Sequence, residues 1–288
     1  MTTQIPAATI TNEEASRLNE IVRNHFSESL REVKRSDNPP IFDKISTVRR
    51  YQFEGETQPT KIIFTAIRPK QDQPADGPLT NVSVDVAPVP IGYSVKRNDF
   101  YGDYIEVPKK VGKALGRSLA ARPDIILSNF LRQGAGRGDQ VSGQPFFSVE
   151  RGNLTKGAPL TAKSLRAGIQ KMTQTFGITP DTLIVPAQLY VRAAEVVKKR
   201  KCKASVDAAI RQIIRMPALS YDGSQNGNWY LASCMSDAGA AGLYFAIDER
   251  STYQYADFNA KEIAFVVEQS MGAEYGDAAY MARFEAAA

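Results

Sequence analysis

One histidine and two cysteines are the scarcest reactive groups in this chain of 288 residues, and they limit its chemistry. A Ser–His–Asp or Cys–His site needs its imidazole on a rigid, concave wall. His25 instead lies in an arm-like segment of helical pattern. Zinc sites need several Cys or His ligands at close spacing, and Cys202 and Cys234 do not supply them. The two cysteines make no disulfide framework and fit a reducing compartment. Asp99, Asp103, Glu106 and Asp181 could be grouped for general acid–base work. Their positions suit capping and turn formation better. Gly134-Ala-Gly-Arg-Gly138 has the look of a phosphate loop, but it lacks the G-K-[ST] ending and follows a helix instead of a strand. Arg137-Gly-Asp139 matches a cell-adhesion tripeptide and reads as a polar loop. Lys198-Lys-Arg-Lys201 could touch phosphates, yet no aromatic is interleaved with it, so it reads as a solvated or interface face. No catalytic residue, metal ligand or cofactor is expected. An α+β enzyme built on carboxylates, and a nucleic-acid module using the cationic run, are the rival readings.

The elements around these residues are more informative. Thr11-Asn-Glu-Glu14 fits a capping box, and Leu18, Ile21, Val22, Phe26, Leu30 and Val33 continue it as an amphipathic helix to about Arg35. Its stripe could cover this chain's own core or a neighbouring subunit. Residues 44–97 read as strands: Ile45–Phe53, Thr60–Ile67, Asn81–Val86 and Ile91–Arg97. The polar, proline-rich 68–78 segment is an exposed tip. This is the pattern of a protruding β-arm.

Asp103 opens a helical pattern of about 28 residues, roughly 40 Å long at 1.5 Å per residue. Pro123 predicts a kink or restart inside it. Residues 160–200 read as helix, short buried strand and helix. Thr161 is the expected cap and Gly177 the stop. Thr182–Val185 forms the strand, and Pro186 takes the first position of the second helix. Ser205–Arg215 reads as another helix. Ala218–Tyr221, Trp229–Met235, Leu243–Ile247 and Glu262–Glu268 read as strands, and Gly276–Phe284 as a strand or short helix.

The composition, 43% hydrophobic and 23% charged, is that of a folded soluble protein. No run of about 18 apolar residues is present, and no membrane span is expected. The N-terminus lacks the basic and apolar regions of a secretory signal. Charge is polarised. Residues 151–206 hold eleven Lys/Arg against two Asp/Glu, whereas 207–288 hold five against eleven. Such a chain can steer partners or pair with copies of itself.

Three stretches, in this order, resemble the HK97-type major capsid protein, and among its members the Mu-like major head subunit family. They are Tyr93-Ser-Val-Lys-Arg-Asn-Asp-Phe-Tyr-Gly-Asp-Tyr104, Gly143-Gln-Pro-Phe-Phe147, and Pro180-Asp-Thr-Leu-Ile-Val-Pro-Ala-Gln-Leu189 before an alanine-rich helix. Asn228-Trp-Tyr-Leu231 is similar to that family's Trp-Tyr-Leu strand. Two departures stand out: Ser142 replaces the usual Asp, and Ser148-Val-Glu150 stands where a His commonly follows the Phe pair.

The resemblance implies an α+β, HK97-like capsid fold. It has an N-terminal arm (1–44), an extended β-arm (45–85), a peripheral domain with a spine helix (86–150 and 256–288) and an α/β axial domain (151–255). It implies a major capsid protein, not an enzyme, that self-assembles into the icosahedral head shell of a tailed double-stranded DNA phage. An encapsulin-like compartment shell is the alternative. The implied partners are copies of itself in pentamers and hexamers, a separate scaffold protein, a portal, a decoration protein and packaged DNA held non-specifically; no membrane is implied. The implied location is the virion, after synthesis in the host bacterial cytoplasm. Phe26, Arg68, Lys70, Asp76, Lys198, Lys199, Arg200 and Lys201 are the candidate inter-subunit contacts.

Overall fold

The computed structural model describes residues 12–35, 61–67, 79–96, 99, 106–140, 142–198, 210–220, 227–233, 241–248, 251–256 and 262–286. The chain forms two units. One comprises residues 1–39, 89–121 and 250–269; the other comprises 40–88, 122–249 and 270–288.

In the first unit, α1 (Asn12–Arg35) buries Leu18, Val22 and Phe26 at helical spacing. It lies on the first half of α2 (Glu106–Gln133). Backbone meets backbone there because α2 presents glycine: a Cβ at Gly116 would stand 2.8 Å from the Phe26 carbonyl oxygen. The Ser29 hydroxyl donates to the Lys113 carbonyl at 3.3 Å. Strand β9 (Thr252–Ala256) pairs antiparallel with the start of β10 (Glu262–Tyr275), from Thr252 opposite Glu268 to Ala256 opposite Ala264. The Tyr253 ring stacks near Phe26 at 6.3 Å, and its hydroxyl donates to Asn19 at 2.6 Å.

In the second unit, α2 continues unbroken through Pro123. The helix therefore does not restart at Pro123. Proline removes one backbone donor, and the buried stripe Leu119, Leu127 and Leu131 along the same helix offsets that loss. The main core lies on a five-stranded sheet in the order β4-β11-β7-β5-β6. These are Leu154–Thr155, Met281–Phe284, Trp229–Ala232, Thr182–Val185 and Gln212–Arg215. Helix α3 (Ala162–Phe176) buries Leu165, Ile169 and Met172 on it, each worth about 2 kcal/mol against exposure. Thr161 and Ser164 cap α3 reciprocally, each side chain accepting the other's backbone N–H. Gly177 ends the helix at φ 68, the left-handed region that glycine adopts without steric cost.

Strands β5 and β6 run parallel, with α4 (Tyr190–Lys198) in the crossover between them. Pro186 is not the first helical residue. It is extended (φ −64, ψ 164) and precedes a 3-10 turn, Ala187–Leu189, that leads into α4. The helix expected over 205–215 is corrected to β6 over its described C-terminal part. Ile213 and Ile214 are β-branched neighbours and pair with Leu183 and Ile184. The strand expected at 218–221 is instead a 3-10 turn, Pro217–Ser220.

A smaller core collects Val82, Val84 and Val86 with Ala241, Tyr244, Ala246 and Tyr280. Strands β1 (Lys61–Ile67) and β2 (Leu79–Asp85) form an antiparallel hairpin, with Lys61 opposite Asp85. The described base of the expected β-arm therefore has a buried face. Residues 45–60 and the tip 68–78 lie outside the described residues. Strand β8 (Leu243–Ile247) pairs with Met271–Tyr275 of β10. Strand β3 (Ala87–Lys96) also belongs to the sheet of β10.

Candidate subunit-contact site

The glycine loop after α2 binds its own chain. The backbone N–H groups of Gly134, Gly136 and Arg137 donate to Phe130 and Gln133 carbonyls at the helix end. In return, Phe146 N–H donates to the Arg137 carbonyl and Phe147 N–H to that of Gly134. A phosphate cradle needs such donors turned outward. The tripeptide at 137–139 is engaged internally as well. The Arg137 guanidinium pairs with Glu274 at 2.9 Å and lies 4.9 Å over the Phe130 ring. Asp139 is buried and pairs with Arg151.

Around that pair the loop is tightly bonded. Asp139 accepts the Ser142 N–H at 2.6 Å and the Ser142 hydroxyl at 2.9 Å. Arg151 also donates to the Ser142 hydroxyl and to the Gln144 side-chain oxygen. Gln140 bonds both backbone groups of Ser83, accepting at 2.8 Å and donating at 2.6 Å, which ties the loop to β2. Buried Asn153 donates to the Phe146 carbonyl at 2.8 Å and accepts the Ser148 N–H at 2.9 Å. Sequence reading missed this clasp. Its one signal was local: Ser142 and Arg151 bracket the Phe pair, but only the fold brings Arg151 back onto Asp139.

Two buried tyrosines support the same junction. Tyr275 donates to the Phe130 carbonyl at 2.7 Å. Burial raises its pKa well above the ordinary tyrosine range. Burial likewise pushes Tyr230 up to about 12, against a smaller opposing effect of the nearby Arg283 charge.

Three of the residues considered for catalysis serve local structure. His25 Nδ1 lies 3.0 Å from Glu28 of its own helix. Glu106 pairs with Lys109 at 3.8 Å. Asp181 accepts the Thr182 hydroxyl at 2.8 Å, and its carbonyl accepts the Arg211 N–H at 2.7 Å. Asp103, Cys202 and Cys234 lie outside the described residues. Among the described residues, no group of three His, Cys, Asp or Glu side chains is placed to hold a metal ion. No described helix is long and apolar enough to cross a membrane.

Of the predicted contact residues, Phe26 is corrected. It is 4% exposed and spent inside the first unit, beneath α2 and beside Tyr253. Lys198 is exposed at the end of α4. Arg68, Lys70, Asp76, Lys199, Arg200 and Lys201 lie outside the described residues. The acidic surplus of 207–288 is largely internal where it is described. Asp248 and Glu274 are buried, Asp277 caps a turn, and Glu285 pairs with Arg283 at 2.9 Å. Among its exposed residues the second unit also carries large apolar side chains: Ile63, Val149, Tyr190 and Val191. Tyr190 borders a cleft of about 310 Å³ between α4 and β6.

Residues 89–284 match the family model described as phage capsid protein. The chain belongs to that family. It is a capsid protein that builds the shell of a phage head by association of its copies, and it is structural, not enzymatic. No curated protein matches it. Solved shell proteins share the fold at low identity. The virus-like particle of Pyrococcus furiosus matches with a TM-score of 0.56 and 12% identity, over 92% of this chain and 98% of that one. The capsid of cyanophage Pam1 gives 0.57 and 12%, over 83% and 88%. The capsid of Ralstonia phage GP4 gives 0.54 and 11%, over 83% and 86%. The HK97-like fold expected for this capsid protein is thus the one it has. The narrower likeness to Mu-like head subunits rests on sequence motifs alone.

Proposed function

We propose that the chain is the subunit of an icosahedral head of a tailed double-stranded DNA phage. The observation that carries this reading is the family match over residues 89–284. In this reading, residues 151–255 form the axial domain and meet their equivalents around five-fold and six-fold axes. Residues 86–150 and 256–288 form the peripheral domain. The β-arm at 45–85 and the N-terminal arm at 1–44 lie over neighbouring subunits. Ring contacts between copies are heterologous: one patch meets a different patch of the next copy, and rotation closes the ring. Overlapping arms add interface area to every subunit. The remaining partners are a separate scaffold protein, a portal, a decoration protein and packaged DNA held through non-specific contacts. The chain is made in the cytoplasm of a bacterial host.

A second reading, an encapsulin-like compartment shell, draws on the fold shared with the Pyrococcus furiosus virus-like particle over 98% of that chain. Electron microscopy of particles from cells producing the full chain separates the two. Shells of phage-head size support the first reading; small uniform shells support the second and overturn the first.

A further inference from the structure

The five-stranded sheet of the second unit carries different exposed features at its two edges. Strand β4 is the terminal strand on one side. The turn before it, residues 149–152, holds Val149 at 60% exposed and the exposed acid Glu150. This turn is firmly held, because the Leu154 N–H donates to the Ser148 carbonyl and the Gly152 N–H to that of Val149. Strand β6 is the terminal strand on the other side, roughly 20 Å away at the usual strand spacing. Beside it lies the cleft with Tyr190, Ala194, Val197 and Ile213 as apolar walls and Lys198 and Arg211 as its cations. Val191, next to the cleft on α4, is 68% exposed.

An apolar and acidic knob thus stands at one edge, and an apolar and cationic socket at the other. The two cannot meet within one sheet, because three strands separate them. They can meet between copies, and a knob and socket at opposite edges of one sheet form a heterologous pair of the kind that closes rings. We propose that the Val149–Glu150 turn of one copy docks in the α4–β6 cleft of the next, with Val149 against the apolar walls and Glu150 facing Lys198 and Arg211. The occupant is a second copy of this chain. The charge match favours it, since a carboxylate knob suits a socket whose charged residues are cations. This contact rests on the proposed axial role of residues 151–255, which hold the cleft, and places the knob at the border with the peripheral domain.

The test is a charge swap in the full chain: Glu150→Arg, Arg211→Glu, and the two together. Thermal melting of each unassembled variant checks that it is folded. Assembly is read by sedimentation over a concentration series. Each single change is expected to raise the concentration needed for assembly by about tenfold, the effect of one interfacial ion pair. The double change is expected to restore it. Folded single variants that assemble as the unaltered chain does, or a double variant no better than the singles, would overturn the contact. A wild-type chain that forms no multi-subunit particle overturns the axial role as well, so the two failures are distinguishable.

Discussion

Gly112 of α2 sits so close to α1 that a Cβ added there would stand 2.4 Å from the Val22 carbonyl oxygen. Gly116, one turn on, meets the Phe26 backbone in the same way. Residue size at these two positions sets how closely α1 can lie on α2. Alanine normally improves a helix by about 1 kcal/mol over glycine. At Gly112 the clash is with backbone, which cannot swing aside, and overpacking costs about 1–3 kcal/mol. Gly112→Ala should therefore lower the melting temperature despite its better helix propensity. Gly92→Ala, where a Cβ meets nothing within 4 Å, is the control and should not.

The Asp139–Arg151 pair should be among the most sensitive sites in the second unit. Arg151→Met removes the guanidinium from a buried carboxylate that also accepts the Ser142 N–H and hydroxyl. The expected loss is about 3 kcal/mol in chemical denaturation. Replacing both partners, Asp139→Leu with Arg151→Met, should cost less than the sum of the single changes.

The chain's single tryptophan, Trp229, reports on the five-stranded sheet. Its ring stacks on Phe284 with 4.0 Å between centroids, and its Nε1–H donates to the Ala158 carbonyl at 2.8 Å. Phe284→Ala should destabilise the fold by about 3–5 kcal/mol. It should also red-shift the emission of the native state, because water reaches the exposed indole face. An unchanged spectrum would argue against the stacking.

Tyr230 predicts an alkaline limit. Its folded pKa of about 12 lies above the ordinary 10, so the stabilisation is complete below pH 10 and is lost as pH rises toward 12. Over that range the unfolded chain releases a proton that the folded chain retains. Tyr230→Phe should flatten the fall in stability between pH 10 and 12, followed by denaturant titration at each pH. It forfeits a long hydrogen bond, 3.4 Å, to the Leu131 carbonyl.

Local chemistry made part of this fold legible in the sequence. Thr161, Gly177 and the run Thr182–Val185 each act through their own neighbours, and each stands where its type predicts. The same holds for the 28 residues of α2. Features decided by tertiary pairing were not legible. Ile213 and Ile214 follow alanine-rich sequence and read as helix until β5 offers them a parallel partner. Strand β10 extends beyond its predicted end because β8 pairs with Met271–Tyr275. Phe26 shows the limit for the contact site. An apolar stripe states that something covers it, and only the glycines of α2 reveal that the cover is the chain itself. Likewise, segment charge suggested an acidic surface at 207–288, but it could not show that Glu274 is paired internally with Arg137.

This chain's work is association with copies of itself into a shell. Analytical ultracentrifugation of the purified full chain over a wide concentration range, with electron microscopy of the fast-sedimenting fraction, tests it most directly. Closed particles many times the 31.6 kDa mass of the chain are expected, with subunits in rings of five and six. A single 31.6 kDa species at every concentration, with no ring or shell, would contradict it.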